Sequence, residues 1–273
     1  MPNLTKQSSD KFIEIMVENT PLLKLISFTK MNHPTSSYPL ATLNRFKTRP
    51  VARQEIAKLE NLSDIMINFN AKEVVLSLVI PDSYIEDMET SHEKVGRYIA
   101  KVFGMDLQYL FINGDTEATG DTDQAKVKRA LNGIVKQIKT AGKTFKIKGS
   151  DASELDKIHQ MVSAMSDIHL ADPGLKILIG AKAYTSLWHS ITTKSADKSL
   201  LIHNDKIKYR GKDVIEIPEL EKIVIINPEH VVGGICRDIT IETQRFPEAR
   251  GNKAVCSARV DFQVVTQAAL MEE

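Results

Sequence analysis

Cysteine is nearly absent: Cys236 and Cys256 are the only two in 273 residues, with no Cys-x-x-Cys pair and no histidine at a metal-ligand spacing. That scarcity argues against a disulfide scaffold and a zinc cluster, and leaves both residues to be read as small core side chains. No apolar run approaches the roughly 20 residues that a membrane span requires, and the first residues lack the charged-then-apolar layout of a signal peptide. The expectation is a protein made in a cytoplasm, with no membrane contact. Charge of one sign is missing too. The net charge of +1 provides no global field for nucleic acid. Residues 1–60 carry nine Lys or Arg against five Asp or Glu, a mild asymmetry that suits a solvated arm as well as a nucleic-acid contact.

Catalytic signatures are equally scarce. The sequence holds no Gly-x-Ser-x-Gly, no phosphate loop and no His-Glu-x-x-His, and Gly233-Gly234 lacks the third glycine of a dinucleotide fingerprint. The seven histidines share no metal spacing. Asp115, Glu117, Asp121 and Asp123 suggest calcium, but the register fails. With Gly120 at the sixth place of a calcium loop, Asp115 is the first ligand and Lys126 falls where the bidentate glutamate belongs. A solvated acidic loop is the better reading. Lys126, Lys128, Arg129, Lys136 and Lys139 read as the wet face of a helix. The expectation is no enzyme, no cofactor and no metal.

What the chain does have is a long helix written from end to end. Thr90-Ser91-His92-Glu93 is a capping box, in which the Thr90 hydroxyl accepts the Glu93 amide and the Glu93 carboxylate reaches back. The helix runs to Phe111-Ile112-Asn113-Gly114-Asp115, where Asn-Gly tolerates positive φ. Val95, Ile99, Val102, Phe103, Leu107 and Leu110 form one apolar stripe. Gly96, Ala100 and Gly104 form a second at i, i+4 and i+8, and each glycine costs about 1 kcal/mol relative to alanine. Close packing of another backbone, expected to be a sheet, would offset that cost.

Elsewhere the spacing predicts a short helix carrying Phe12, Ile13, Met16 and Val17, then extended chain without a core of its own over His33–Tyr38. Strands are expected at Leu40–Phe46 and Ile65–Phe69, joined by a polar tip from Lys47 to Asp64 that has little to bury within one subunit. Val74 to Ile80 reads as a strand buried on both faces. Val127, Leu131, Ile134, Val135 and Ile138 suggest one amphipathic helix, interrupted by Gly133. Further helices are expected around Leu155–Met165 and Ala181–Ile191, and strands at Leu175–Ile179, Lys206–Tyr209, Asp213–Ile217 and Ile223–Ile226. Ala254, Cys256, Ala258, Val260, Phe262 and Val264 occupy every second place, so one face of the last long strand is buried and Ser257, Arg259, Asp261 and Gln263 face away. Its hairpin partner turns near Glu248, which sets Cys256 opposite Ile241 and keeps Cys236 too distant for a disulfide.

Three blocks in this order resemble the major capsid proteins of tailed bacteriophages: the strand-then-helix segment ending Phe111-Ile112-Asn113-Gly114-Asp115 followed by Asn132-Gly133-Ile134, then Tyr209-Arg210-Gly211-Lys212-Asp213-Val214, then the long terminal hairpin. The resemblance covers the chain from about residue 39 onward. It implies an α+β tailed-phage capsid fold with an N-terminal arm at 1–38 and an extended loop at 39–80. A peripheral domain at 81–130 and 234–273 would hold the long spine helix and terminal β-hairpin, beside an axial α/β domain at 131–233. It implies a structural head protein that self-assembles into hexamers and pentamers of an icosahedral shell around double-stranded DNA. Subunit contacts would then involve Lys47, Arg49, Arg53, Glu55, Lys58 and Glu60 in the extended loop, and Arg245, Glu248, Arg250 and Asn252 in the terminal hairpin. Arg49 and Arg53 would meet acidic groups such as Glu86 and Asp87 of a neighbour.

A separate scaffolding protein, a portal and a decoration protein are the further partners the resemblance implies, with assembly in a host cytoplasm and residence in the virion. Some relatives weld subunits through a loop lysine and a hairpin asparagine. Lys47, Lys58 or Lys72 and Asn252 are of those types, but no carboxylate of the terminal strand is placed to assist. Two other readings stay open at this point. One is an encapsulin-like nanocompartment shell with protein cargo, the other a soluble metal-binding or hydrolase module.

Overall fold

A computed structural model describes residues 6–41, 64–82, 92–149, 152–194, 202–203, 206–266 and 269–273. Helix α1 (Lys6–Glu18) and the short α2 (Pro21–Leu25) lead into strands β1 (Ser27–Met31) and β2 (Thr35–Ala41). β3 (Asp64–Asn70) and β4 (Lys72–Pro81) precede α3 (His92–Asn113), the spine helix. Next come α4 (Asp123–Lys128), α5 (Ile134–Thr140), β5 (Thr144–Phe145), α6 (Glu154–Ala164), α7 (Asp167–Leu170), β6 (Lys176–Ile179) and α8 (Ala181–Lys194). Seven strands complete the chain: β7 (Ile202–His203), β8 (Lys206–Tyr209), β9 (Lys212–Glu216), β10 (Val224–Ile226), β11 (Val231–Phe246), β12 (Gly251–Val264) and β13 (Leu270–Glu272).

The spine helix has 22 residues, about 33 Å at helical rise. Its buried stripe of Ile99, Phe103, Leu107, Leu110 and Phe111 lies on a four-stranded sheet ordered β1-β11-β12-β4. The face of that sheet is supplied by the alternation of Ala254, Cys256, Ala258, Val260 and Phe262, all buried. Phe262 stacks on Phe111 at 4.5 Å between ring centroids. The capping box ahead of the helix, from Thr90, lies outside the described residues.

A seven-stranded mixed sheet, ordered β5-β13-β10-β6-β9-β8-β7, forms the second layer system. On one face Ile177, Ile179, Ile207, Val214, Ile223 and Ile225 pack with Ile158, Met161 and Val162 of α6 and Leu187 and Ile191 of α8. From the other face Leu178, Val224, Ile226 and Met271 join the core of the spine helix. The two sheets therefore share one continuous core. The C-terminal β13 threads between β5 and β10, which ties the chain end into this second sheet. Arg210 and Gly211 both take positive φ and turn β8 into β9.

Three expectations change. β4 is not buried on both faces: Val75 and Val79 are 54% and 42% exposed, because among the described residues the core packs only on the face of Val74, Leu76, Leu78 and Ile80. The single amphipathic helix expected over 127–138 is two helices, α4 and α5, broken where Gly133 meets the end of the spine helix. His33–Tyr38 is not extended chain without a core: it enters β2, and Tyr38 and Leu40 pack with Ile67 and Phe69 against Met31, Val232, Cys236 and Val265.

Candidate assembly surfaces

The two glycine motifs separated by nineteen positions, Gly114 and Gly133, stand back to back. A Cβ on Gly133 would lie 2.6 Å from the Phe111 carbonyl oxygen and 2.7 Å from that of Ile112, and one on Gly114 would run into the Leu131 carbonyl. The Gly133 N–H donates to the Gly114 carbonyl at 2.9 Å. Only residues without a side chain allow this approach. Asn132 Oδ1 accepts from the Thr116 amide at 2.9 Å, and Gln137 extends the junction to β12. Its amide nitrogen donates to the Phe262 carbonyl at 2.7 Å and its oxygen accepts from Val264 N at 2.9 Å. The spine helix, α5 and the terminal strand are thereby locked to one another.

On the spine helix the two expected close-packing glycines behave differently. A Cβ at Gly104 would stand 2.8 Å from Thr20 Oγ1 and 3.0 Å from the Met16 carbonyl oxygen, so the chain crossing here is the end of α1, not a sheet. Thr20 is itself fixed, donating to Met16 O at 2.7 Å. Ala100 is fully buried, whereas a Cβ at Gly96 would meet nothing within 4 Å. Buried Gln108, whose polarity the apolar stripe concealed, accepts from Leu22 N at 3.0 Å and so serves the orphan amides of α2.

Of the expected subunit contacts, Lys47, Arg49, Arg53, Glu55, Lys58 and Glu60 lie outside the described residues, as do Glu86 and Asp87. The base of their hairpin is described. β2 and β3 pair antiparallel from Thr35↔Asn70 to Ala41↔Asp64, and Asp261 holds the base. The Asp261 carboxylate, 5% exposed, accepts from Asn70 N at 2.6 Å and from Phe262 N at 2.7 Å. Alternation had placed Asp261 on the open face; the hairpin base covers that face instead.

At the tip of the terminal hairpin, Arg245 pairs with Asp82, Arg250 takes φ 44° and gives its carbonyl to Asp82 N at 2.9 Å, and Glu248 is exposed. Asn252 sits in register between Arg245 of β11 and Ile80 of β4. The tip is thus a charged, exposed end fixed to the edge strand. Cys236 and Cys256 are free and buried, and burial pushes the Cys256 thiol up to about 12, so it is inert at neutral pH.

Two carboxylates of the acidic loop are paired by Lys136 of α5. Lys136 Nζ lies 3.0 Å from Asp115 and also contacts Glu117. The Glu117 amide and then Lys136 hold the Asp115 carboxyl below its ordinary range, while hydrogen bonds to Glu117 and Asp115 hold the Lys136 ammonium above its own. Among the described residues no group of three or more His, Cys, Asp or Glu could hold a metal ion, and no helix is long and apolar enough to cross a membrane.

No protein-family model matches the sequence, and no curated protein does. Solved structures do. A chain of the satellite phage P4 procapsid, described as including the size-determination protein Sid, superposes with a TM-score of 0.72 at 13% identity, over 97% of this chain and 98% of that one. A virus-like particle from Pyrococcus furiosus gives 0.57 at 13% identity over 97% and 96%. Mycobacterium phage Che8 gives 0.54 at 13% identity over 93% and 91%. The spine helix, the two sheets and the terminal hairpin together make this chain an α+β protein with the fold of the phage capsid proteins.

Proposed function

We propose that the chain is the major capsid protein of a tailed phage, a structural subunit that assembles into hexamers and pentamers of an icosahedral head around double-stranded DNA. The observation that carries this is the end-to-end match to the P4 procapsid chain, 97% of one and 98% of the other. The sequence division into arm (1–38), extended loop (39–80), peripheral domain (81–130 and 234–273) and axial domain (131–233) is the division by which we read the assembled subunit. The extended-loop charges and the hairpin tip at Arg245, Glu248, Arg250 and Asn252 are the proposed contacts between neighbours. Charged rims of this kind set register and partner choice more than they add affinity.

A shell does not require strong single contacts. Each subunit touches several neighbours, so modest interfaces are multiplied, and closure leaves no open edge. DNA contacts are non-specific in this reading, and a separate scaffold, a portal and a decoration protein complete the assembly, which forms in a host cytoplasm and remains in the virion. Expression of the chain alone and with its neighbouring genes, followed by sedimentation and imaging, tests the proposal. Megadalton polyhedral shells are expected; shells filled with protein instead of DNA would transfer the reading to an encapsulin-like nanocompartment.

A further inference from the structure

β4 is ten residues long and, among the described residues, pairs on one side only, with β12. Its ladder fixes which backbone groups are left over. Asp82 N donates to Arg250 O in register with the β4–β12 pairing, so even-numbered residues turn their amides toward β12. By the alternation of an antiparallel ladder, Glu73, Val75, Ser77 and Val79 turn theirs outward. Pro81, which has no amide to offer, occupies the one remaining outward place. Val75 and Val79 are exposed on one face, and Val74, Leu76, Leu78 and Ile80 stay half-buried on the other. A long apolar edge of this kind is a template for another strand.

The segment Lys72-Glu-Val-Val-Leu-Ser-Leu-Val-Ile-Pro-Asp82 is also self-complementary about Ser77. We propose that two copies of the chain join antiparallel through their β4 edges on a two-fold axis at Ser77, fusing two four-stranded sheets into one of eight strands. Residues directly opposite in an antiparallel pair share a face. In this register Leu76 meets Leu78 of the second copy and Val74 meets Ile80 on the core face, while Val75 meets Val79 on the outer face. At both ends Lys72 stands opposite Asp82. A slip that centres the pair on Leu76 sets Glu73 against Val79 and Lys72 against Ile80; a slip to Leu78 sets Asp82 against Val74. The Ser77 register leaves Glu73 opposite Pro81 but matches the remaining facing pairs apolar with apolar and cation with anion, which neither slip does. An isologous contact needs this self-complementarity. One ten-residue strand buries less than a standard stable interface, so the contact belongs to an assembly with other contacts. The inference deepens the shell reading by naming a two-fold contact, yet the pairing itself does not require closed particles.

The full-length Ser77→Cys chain tests it, in both particle and soluble fractions, oxidised mildly or bridged with a short thiol crosslinker. Because Cys236 and Cys256 are buried, the thiol introduced at position 77 is the reactive one. Held side by side, two such thiols should form a covalent dimer about a hundredfold faster than a Ser186→Cys control on exposed α8. Val79→Pro in the same background removes only an outward amide and should abolish the dimer. Val75→Cys and Val79→Cys chains, mixed, should crosslink to each other in preference to themselves, which gives a second route if Ser77→Cys folds poorly. A Ser77→Cys chain that yields no dimer in either fraction overturns the proposal, whether its new thiol is open to small maleimides or shielded by some other segment. Closed shells without the dimer leave the shell reading standing and remove this one. A dimer without shells does the reverse.

Discussion

Two glycines of the spine helix make opposite demands. Gly96 has open space where a side chain would go, so Gly96→Ala should gain helix propensity and stabilise the chain by up to about 1 kcal/mol. Gly104 abuts Thr20 and Met16, so Gly104→Ala should destabilise by about 1–3 kcal/mol despite the same gain in propensity, and Gly104→Leu should block folding or assembly. Urea titrations of the two alanine variants check the sign; equal shifts would mean that α1 does not press on Gly104. Asp261 supplies a second test at this scale. Asp261→Ala leaves the amides of Asn70 and Phe262 without their charged acceptor, at a cost of about 2–3 kcal/mol, and should speed hydrogen exchange at Asn70. Unchanged exchange there would detach the hairpin base from Asp261.

Among elements, the regular ones were legible and the junctions were not. The every-second-place pattern of Ala254 to Phe262 and the register of Cys256 against Ile241 both appear in the structure. These follow from local periodicity alone. Three features did not, because each is decided by something distant in sequence. Asp261 is buried by the β2–β3 base, β4 is half-exposed because the core packs on only one of its faces, and the 127–138 helix breaks because Gly133 must approach Gly114. Gly133→Ala should therefore destabilise by about 1–3 kcal/mol or more, although an ordinary helix interior would gain from the same change.

The acidic loop has a pH dependence with a definite sign. Asp115, with its pKa held down, contributes stability that is present at neutral pH and lost as pH falls through its lowered value. Lys136, with its pKa held up, contributes stability present near neutrality and lost as pH rises through its raised value. Lys136→Met should accordingly lower Tm by a small, constant amount near neutrality, and the difference from the unaltered chain should shrink in acid. A difference that grows in acid would contradict the pairing.

For the whole molecule, two of the three blocks behind the resemblance meet at one junction, while the Tyr209–Val214 block turns a hairpin in the second sheet. The motif at the end of the spine helix and the Asn132-Gly133 block are brought into direct contact, and the terminal strand is bound there by Gln137 of α5 and by the stack of Phe262 on Phe111. The contacts proposed between neighbours fall in the extended loop and at the hairpin tip, where Arg245 is already paired with Asp82 of its own chain. The central claim is that many such chains close into a shell. Sedimentation with negative-stain imaging of the expressed chain, alone and with its neighbouring genes, tests it most directly: closed polyhedral particles of megadalton mass are predicted, and a stable monomer under both conditions would contradict it.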